Sequence, residues 1–359
     1  MTSLPASRPL APTLRRMAAG LLLAGVGGLL VWQGSGRTLT PGMSVQDTPI
    51  SVQLDGPLPL DLASSAALTV GGDRTDLSVT ALNAGSPYAL RGRAHHRARN
   101  PVQADVTRQG RAITARLNLN VQPLHERGVV LGGTEGVQHT LNVAVSRDLP
   151  VTLSTGTTSG DQTLTLTPLR LRALTVRSDS GDQILTLPAR EAGAISAVSR
   201  SGRVTLTAPR GSLTDALRVN TGSGDQRLDL GGLTTQTLGV GTDSGRVRLT
   251  LPVLTGRGTV TTGSGDIRIT ATDRTRGNLD IRSQSGHVTL ILPRTLTARV
   301  RYPDRDTRTF PEGQPPSPTP ALDVFVDAGS RSVTITSDPA RAPDPPAPPA
   351  SSSRSLTRR

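Results

Sequence analysis

Four carboxylates recur at one position of a repeated motif in this sequence. Asp161, Asp182, Asp225 and Asp266 each follow a Ser-Gly pair directly. Paired carboxylates can act as general acid and base on a glycosidic bond, so one hypothesis is a polysaccharide-acting enzyme built on a β-helix. These residues lie in short turns, however, and the sequence has no long loops nearby to build a cleft. The sequence therefore favours a non-enzymatic protein with no catalytic residues.

A second candidate site is basic. Residues 91–99 (RGRAHHRAR) place Arg91, Arg93, Arg97 and Arg99 around two histidines. Guanidinium groups match the oxygens of phosphate and carboxylate, so the segment is either an anion-binding patch or a mobile surface loop. The adjacent histidines point to opposite sides of an extended chain, and we expect no metal site and no cofactor here.

Composition excludes several classes of chemistry. The 359 residues include 40 Lys or Arg and 27 Asp or Glu, for a formal charge of +13, and all 40 cations are arginine. With neither lysine nor cysteine, the chain can form no phosphate-loop lysine, Schiff base, thiol nucleophile or disulfide. Only one Trp, two Tyr and two Phe are present, and the arginines are scattered. Because nucleic-acid binders use stacking aromatics or clustered cations, we expect no nucleic-acid partner.

The N-terminus resembles a membrane-targeting segment. Met17–Gly36 is a run of 20 uncharged residues that follows Arg8, Arg15 and Arg16. At about 1.5 Å per residue such a helix would span roughly 30 Å of hydrocarbon. We expect a single-pass anchor with residues 1–16 in the cytoplasm and the rest extracytoplasmic. A cleaved signal peptide, giving a secreted protein, and a buried core helix are the alternatives.

Internal repetition is the strongest signal in the sequence. Between positions 159 and 286 seven Ser-Gly pairs recur at a nearly constant spacing. After the first, Ser159-Gly160-Asp161, the motifs are Ser180-Gly181-Asp182, Ser201-Gly202-Arg203, Ser223-Gly224-Asp225, Ser244-Gly245-Arg246, Ser264-Gly265-Asp266 and Ser285-Gly286-His287. Alternating apolar residues flank each pair, which predicts strand, turn, strand. We expect glycine to supply a positive φ and serine to bond its own backbone.

One such unit cannot bury its apolar face alone, so the units must stack. The sequence therefore predicts an all-β protein, a β-solenoid or rolled, stacked sheet of about 21 residues per unit behind one N-terminal membrane helix. The predicted interior is Ile184, Leu187, Val204, Leu206, Leu228, Leu230, Val247, Leu249, Ile267, Ile269, Val288 and Leu290.

The residue after each Ser-Gly pair alternates in charge from the second unit onward. If each unit forms one coil, these residues stack as a ladder of opposite charges; if two units form one coil, the acidic and basic residues occupy separate edges. The sequence leaves both arrangements open. A calcium ladder would need more Gly and Asp in each turn.

These reiterated units behind a membrane segment resemble the bacterial toastrack domains, a family of unknown function labelled "putative adhesin" and related to the C-terminal domain of cell-wall-active antibiotic response proteins. The resemblance covers about residues 151–293. It implies this architecture, an envelope setting, and roles in adhesion or envelope-stress signalling, without catalytic residues.

The remaining segments complete the predicted organisation. We expect a β-rich capping region at 38–150, the Ser-Gly solenoid at 151–300, a Pro-rich loop at 301–320, a terminal β-hairpin at 321–337 and a disordered tail at 338–359. In the hairpin, Phe325 and Val333 are expected to close the open end of the stack.

The expected function is a non-enzymatic, membrane-tethered envelope protein that presents its solenoid for binding or assembly. Its partners would be the membrane, through the N-terminal helix, and an envelope polymer, anionic lipid or another envelope protein. Besides the polysaccharide-acting enzyme, a sensor partner of a membrane signalling system remains an alternative. The sequence does not determine the oligomeric state.

Overall fold

A computed structural model describes residues 44–54, 64–121, 138–304, 307–312, 319–329 and 332–338. Within these ranges the protein is all-β, with 26 strands in two large sheets. No helix in this part of the chain is long and apolar enough to cross a membrane. The predicted membrane helix at 17–36 and the tail beyond Asp338 lie outside the described residues.

The first sheet, sheet A, has 12 strands. In spatial order they are β1 (Val45–Gln53), β4 (Tyr88–Arg97), β7 (His139–Val145), β3 (Thr75–Ala81), β9 (Gln162–Thr165), β11 (Gln183–Thr186), β14 (Val204–Thr207), β16 (Gln226–Asp229), β18 (Val247–Thr250), β20 (Ile267–Thr270), β22 (Val288–Pro293) and β26 (Val333–Asp338).

The second sheet, sheet B, has 14 strands, counting a short strand beside its main path. In spatial order they are β24 (Arg308–Phe310), β23 (Ala298–Arg301), β25 (Leu322–Asp327), β21 (Arg276–Ser283), β19 (Val253–Thr262), β17 (Leu233–Thr242), β15 (Ser212–Thr221), β13 (Ala194–Ser199), β10 (Arg170–Ser178), β8 (Pro150–Thr157), β2 (Ser65–Gly72), β6 (Ala112–Leu119) and β5 (Val102–Gln109), with β12 (Glu191–Ala192) paired to β15.

Each repeat unit forms one coil, which decides between the two arrangements that the sequence left open. A strand of sheet B leads through a Ser-Gly corner into a short strand of sheet A, and the next unit lies parallel beside it in both sheets. Gln183 pairs with Val204, and Val204 pairs with Gln226, so neighbouring strands are one repeat unit apart in sequence. At about 4.8 Å per strand, sheet A extends over roughly 50 Å along the stack.

Inward-facing side chains of both sheets form one continuous hydrophobic cluster. In sheet A a column of aliphatic residues at most 2 % exposed runs from coil to coil: Leu185, Leu206, Leu228, Leu249, Ile269 and Leu290. The prediction that Ile184 faces inward is wrong, because its side chain is 51 % exposed. The pairing of the strands determines which residues face inward: Gln183 aligns with buried Val204, so the next residue, Ile184, must point outward.

The region before residue 150 continues the same two sheets. Strands β2 and β3 form a coil that lies between β6 and β7 on one side and β8 and β9 on the other, out of sequence order. Antiparallel strands finish this end of the stack: β1 and β4 in sheet A, and β5 in sheet B. Such capping limits edge-to-edge pairing of the parallel sheets.

At the other end, the expected terminal hairpin is instead a further coil. β25 pairs in parallel with β21 in sheet B, while β26 pairs in parallel with β22 in sheet A. Phe325 lies on the outward, half-buried side of β25, so it does not close the core; Val333 packs partly against the core. The 301–320 segment contains β24, which pairs antiparallel with β23 at the edge of sheet B.

Candidate anion-binding surface

The corner of every coil is built on a column of glycines. At each of the seven repeat glycines from Gly160 to Gly286, a Cβ would lie only 1.8–2.0 Å from a backbone carbonyl oxygen of the neighbouring coil. None of these seven has a positive φ, so the expectation that glycine supplies one is wrong. Glycine is required because the coils approach too closely for any side chain.

Buried hydroxyl groups hold the same corner. A serine or threonine stands three residues before each repeat glycine, in the column Thr157, Ser178, Ser199, Thr221, Thr242, Thr262 and Ser283. The Ser178 Oγ accepts from the Gly181 amide at 2.9 Å and donates to its carbonyl oxygen at 3.0 Å. Ser180, Ser201 and Ser285 of the pairs donate to the preceding coil instead, as Ser201 Oγ does to the Asp179 carbonyl at 3.1 Å. The repeated S/T-x-S-G pattern in the sequence is the signal that could have predicted this column.

The charged residues after the pairs stack as a ladder at this corner, and its aspartates have a structural role. Asp182 Oδ1 accepts a hydrogen bond from the Arg203 amide at 2.8 Å, and Asp225 Oδ1 accepts one from the Arg246 amide at 2.9 Å. Asp266 does the same for His287 at 3.0 Å. Each carboxylate therefore satisfies a backbone donor of the next coil, which the sequence did not reveal.

The outward face of sheet A carries three consecutive arginines, which we call the arginine ladder. Arg227 on β16 lies opposite Arg248 on β18, which lies opposite Arg268 on β20, and all three side chains are exposed. Arg203 and Arg246 of the corner line one shallow groove together with Arg227 and Arg248. Sequence reasoning did not single out the ladder, although each member follows a repeat glycine by three residues, in SGDQR, SGRVR and SGDIR.

The guanidinium groups of this surface have no acidic partner in the part of the chain that the structure describes. None of the five arginines forms an ion pair within 4 Å there. Asp182, Asp225 and Asp266 in the corner and Asp229 on β16 are the nearby acids, and the first three hold backbone amides. Five cations face four carboxylates, which leaves this face positive.

Arg91, Arg93 and Arg97 of the predicted N-terminal patch lie on strand β4, and Arg99 lies just after it. The alternative that this segment is a mobile loop is therefore wrong. Arg91 and Arg93 are exposed on the outward side of β4, and the Arg91 guanidinium lies 5.4 Å from the centroid of the Tyr88 ring. Arg97 is buried and Arg99 half-buried, so the four do not share one surface. Strand pairing with β1 and β7 orders this polar segment.

The histidines around this strand are engaged in hydrogen bonds. Half-buried His95 contacts Asp47 at 2.9 Å, whereas buried His96 contacts the Thr48 hydroxyl at 2.8 Å. Buried His139 hydrogen-bonds to Asn100 at 2.9 Å. Burial, then the positive charge of Arg97, lowers the pKa of His139, so it stays neutral near pH 7. No group of three potential metal ligands occurs in the described ranges.

Arg93 and the arginine ladder lie on one outward column of sheet A. Between them the column passes through Asn142, Ser78, Thr163, Ile184 and Thr205. Six strand spacings of about 4.8 Å separate Arg93 from Arg227 by roughly 30 Å. The face therefore carries two basic regions separated by a stretch without cations in that column.

Comparison with known proteins identifies the family. The sequence profile of Toastrack DUF4097 matches residues 109–311, more than half of the chain. The protein belongs to this toastrack family, as its repeats predicted. No curated protein matches the chain significantly.

Three solved structures are similar to it at low identity. A "putative cell adhesion protein" from Clostridium sporogenes is 10 % identical, with a TM-score of 0.30, over 82 % of this chain and 100 % of its own. A "putative adhesin" from Bacteroides fragilis is 11 % identical, with a TM-score of 0.38, over 83 % and 99 %. A "putative adhesin" from Parabacteroides distasonis is 10 % identical, with a TM-score of 0.36, over 82 % and 97 %. At these scores the likenesses carry no functional argument.

Proposed function

We propose that this protein is a non-enzymatic, membrane-tethered component of the bacterial envelope that presents its solenoid as a rigid binding surface. The observation that carries the proposal is the arginine ladder: three exposed, stacked cations on the outward face of a stack whose corners and interior serve the fold. The family match shows that the chain contains a toastrack domain, whose function is unknown. The envelope setting and the binding role are our proposal.

Rigidity supports a binding role. The coils share one hydrophobic core and are joined by parallel ladders on both sheets, so neighbouring side chains on the outer face keep a fixed spacing. A surface that is ordered before its partner arrives loses less conformational entropy on binding. The arginines of the ladder are therefore held in line by the fold itself.

The role of the repeated aspartates favours binding over glycan hydrolysis. Asp182, Asp225 and Asp266 each accept a backbone hydrogen bond from the next coil. If they were catalytic, replacing all three by Asn would abolish turnover of a glycan substrate. We expect the triple Asp→Asn protein to keep any ligand binding, and a measured loss of glycan turnover would establish the enzyme instead.

The membrane attachment rests on the sequence. Met17–Gly36 is uncharged and follows three arginines, a pattern typical of a single-pass segment whose start stays in the cytoplasm. The solenoid would then be extracytoplasmic, next to envelope polymers and lipid head groups. These are the surroundings in which a positive surface meets anionic partners.

A topology measurement tests this proposal. Reporter enzymes that are active on only one side of the membrane would be fused after Arg37 and, separately, after Pro293. Both fusions should report an extracytoplasmic position, and the protein should remain in the membrane fraction after a high-salt wash. A cytoplasmic position for either fusion would contradict the proposal, and release into the medium would favour the cleaved signal peptide.

A further inference from the structure

The arginine ladder is a local departure from the composition of its own column. Elsewhere in the regular coils this outward column holds Thr163, Ile184, Thr205 and Thr289. β-branched residues such as these are the ones that strands favour on an outer face. Three arginines in consecutive coils replace them, so strand stability does not explain the choice.

The placement of these charges is unfavourable without a partner. Neighbouring strands lie about 4.8 Å apart, so these three side chains start from adjacent positions, and like charges placed directly opposite each other destabilise a sheet. Among the described residues, no carboxylate lies within 4 Å of the three guanidinium groups. An anion lying along the ladder would offset this repulsion.

The shape of the basic strip indicates a chain that runs along the stack. Strands β16, β18 and β20 have four residues each, so the strip is only about 13 Å wide. Carboxylates flank the central column on both sides, Asp225 and Asp266 at the corner and Asp229 on the other side. A broad anionic surface such as a bilayer would meet these carboxylates, whereas a single chain can follow the central arginines.

The chemistry of arginine indicates phosphate as the anionic group. Guanidinium presents a planar fork of N–H donors. A phosphate exposes its oxygens in a tetrahedral arrangement and can accept from guanidinium groups on two neighbouring coils. A carboxylate has two oxygens in one plane and matches one fork at a time.

We propose that the arginine ladder binds a linear phosphate-bearing polymer, with the polymer chain parallel to the axis of the stack and crossing β16, β18 and β20. Arg203 and Arg246 in the corner contact the same chain from one side. This inference rests on the proposed function and names the class of partner that the solenoid would bind.

The test uses the full chain in non-ionic detergent and linear inorganic polyphosphate of defined length as the probe. The ladder variant R227T/R248T/R268T carries the threonine that neighbouring coils have in this column, so it should fold normally. The control variant R177T/R218T/R282T removes three exposed arginines from the outward face of sheet B, with the same change in net charge. A single R248T substitution is included as a milder change, and thermal unfolding checks the fold of each protein.

We expect the ladder variant to bind polyphosphate roughly tenfold to one hundredfold more weakly than the unmodified protein. The slope of log affinity against log salt should decrease by up to about 3, because fewer counterions are released. R248T should weaken binding by about threefold to fivefold. The sheet B variant should bind within about threefold of the unmodified protein.

Four outcomes would overturn the inference. These are undetectable binding of polyphosphate, equal losses in the ladder and sheet B variants, ladder-dependent binding of polygalacturonate as tight as that of polyphosphate, and ladder-dependent binding of anionic phospholipid vesicles without binding of polyphosphate. The topology measurement is independent of these results. An extracytoplasmic protein that fails to bind would refute the phosphate partner alone, and a cytoplasmic one would refute the proposed function.

Discussion

The corner and the outer face of the same coils differ in how strictly their residues are determined. At the corner the glycines from Gly160 to Gly286 repeat in every coil, and each stacks on backbone of its neighbour. Three residues later, on the outward face, the column holds threonine in some coils, isoleucine in one and arginine in others. The repeat is thus uniform where coils touch and variable where they face solvent, and a binding function can occupy only the variable positions.

The largest expected effect on stability comes from comparing a buried residue with its outward-facing neighbour on one strand. Leu206 on β14 is fully buried, so Leu206→Asp places an unpaired charge in the core and should destabilise by more than about 4 kcal/mol, enough to unfold the stack. Thr205→Asp, one residue away on the outward side, should cost less than about 1 kcal/mol. Urea unfolding followed by circular dichroism measures both, and similar midpoints would contradict the assigned register.

The second effect concerns glycine at the corner. A Cβ at Gly245 would lie 2.0 Å from the Gly224 carbonyl oxygen, so Gly245→Ala should destabilise by about 3 kcal/mol. At Gly156 on β8, apart from its chain neighbours, no atom of the described residues lies within 4 Å of such a Cβ, and φ is not positive, so Gly156→Ala should change stability by less than about 0.5 kcal/mol. Equal effects in thermal unfolding would show that close approach does not explain the glycine column.

A smaller effect is expected from the carboxylates that bond the next coil. Asp225→Ala removes the acceptor for the Arg246 amide and should destabilise by about 1 kcal/mol. Asp225→Asn retains a side-chain oxygen and should lose less than half of that. If Asn were as disruptive as Ala in chemical denaturation, the charge of Asp225 would matter more than its hydrogen bond.

The smallest effect concerns a buried amide oxygen. Gln162 Oε1 accepts from the Thr155 hydroxyl at 2.7 Å. In the coil of Gln226 the position of Thr155 is taken by Val219, and the buried Gln226 Oε1 has no partner among the described residues. Val219→Thr should therefore stay within about 0.5 kcal/mol of the unmodified protein, since the new hydroxyl gains this acceptor.

Val240→Thr is the matched control. In the coil of Val240 the position of Gln226 is taken by Val247, which offers no hydrogen-bond acceptor. It should destabilise by about 1–2 kcal/mol. Equal losses for the two threonines in differential scanning calorimetry would mean that the Gln226 oxygen is already satisfied, for example by water.

Much of the fold was predictable because the repeat is regular. The spacing of the Ser-Gly pairs and the alternation of apolar residues predicted stacked strands, and the aliphatic column from Leu206 to Leu290 is buried as expected. The prediction for Ile184 was wrong because it rested on the hydropathy of that residue alone. The pairing of Gln183 with Val204 determines which side of the strand faces the core. The prediction of a terminal hairpin was wrong because two consecutive strands have the same sequence pattern whether they pair with each other or with the strands of the previous coil.

The candidate site was predictable only in part. The N-terminal arginines are close in sequence and therefore predicted a patch, yet the structure separates exposed Arg91 and Arg93 from buried Arg97. Arg227, Arg248 and Arg268 belong to three successive repeat units, and they become neighbours only when each unit forms one coil.

The sequence by itself determined that similar units of about 21 residues must stack, because a lone unit leaves its aliphatic face in water. The tertiary structure alone decided that one unit completes one coil, that β2 and β3 enter the stack out of order, and that glycine serves close packing instead of a positive φ. The physical reason is that local pattern specifies which side of a strand is apolar, whereas the partner of each strand is set by contacts between residues far apart in the chain.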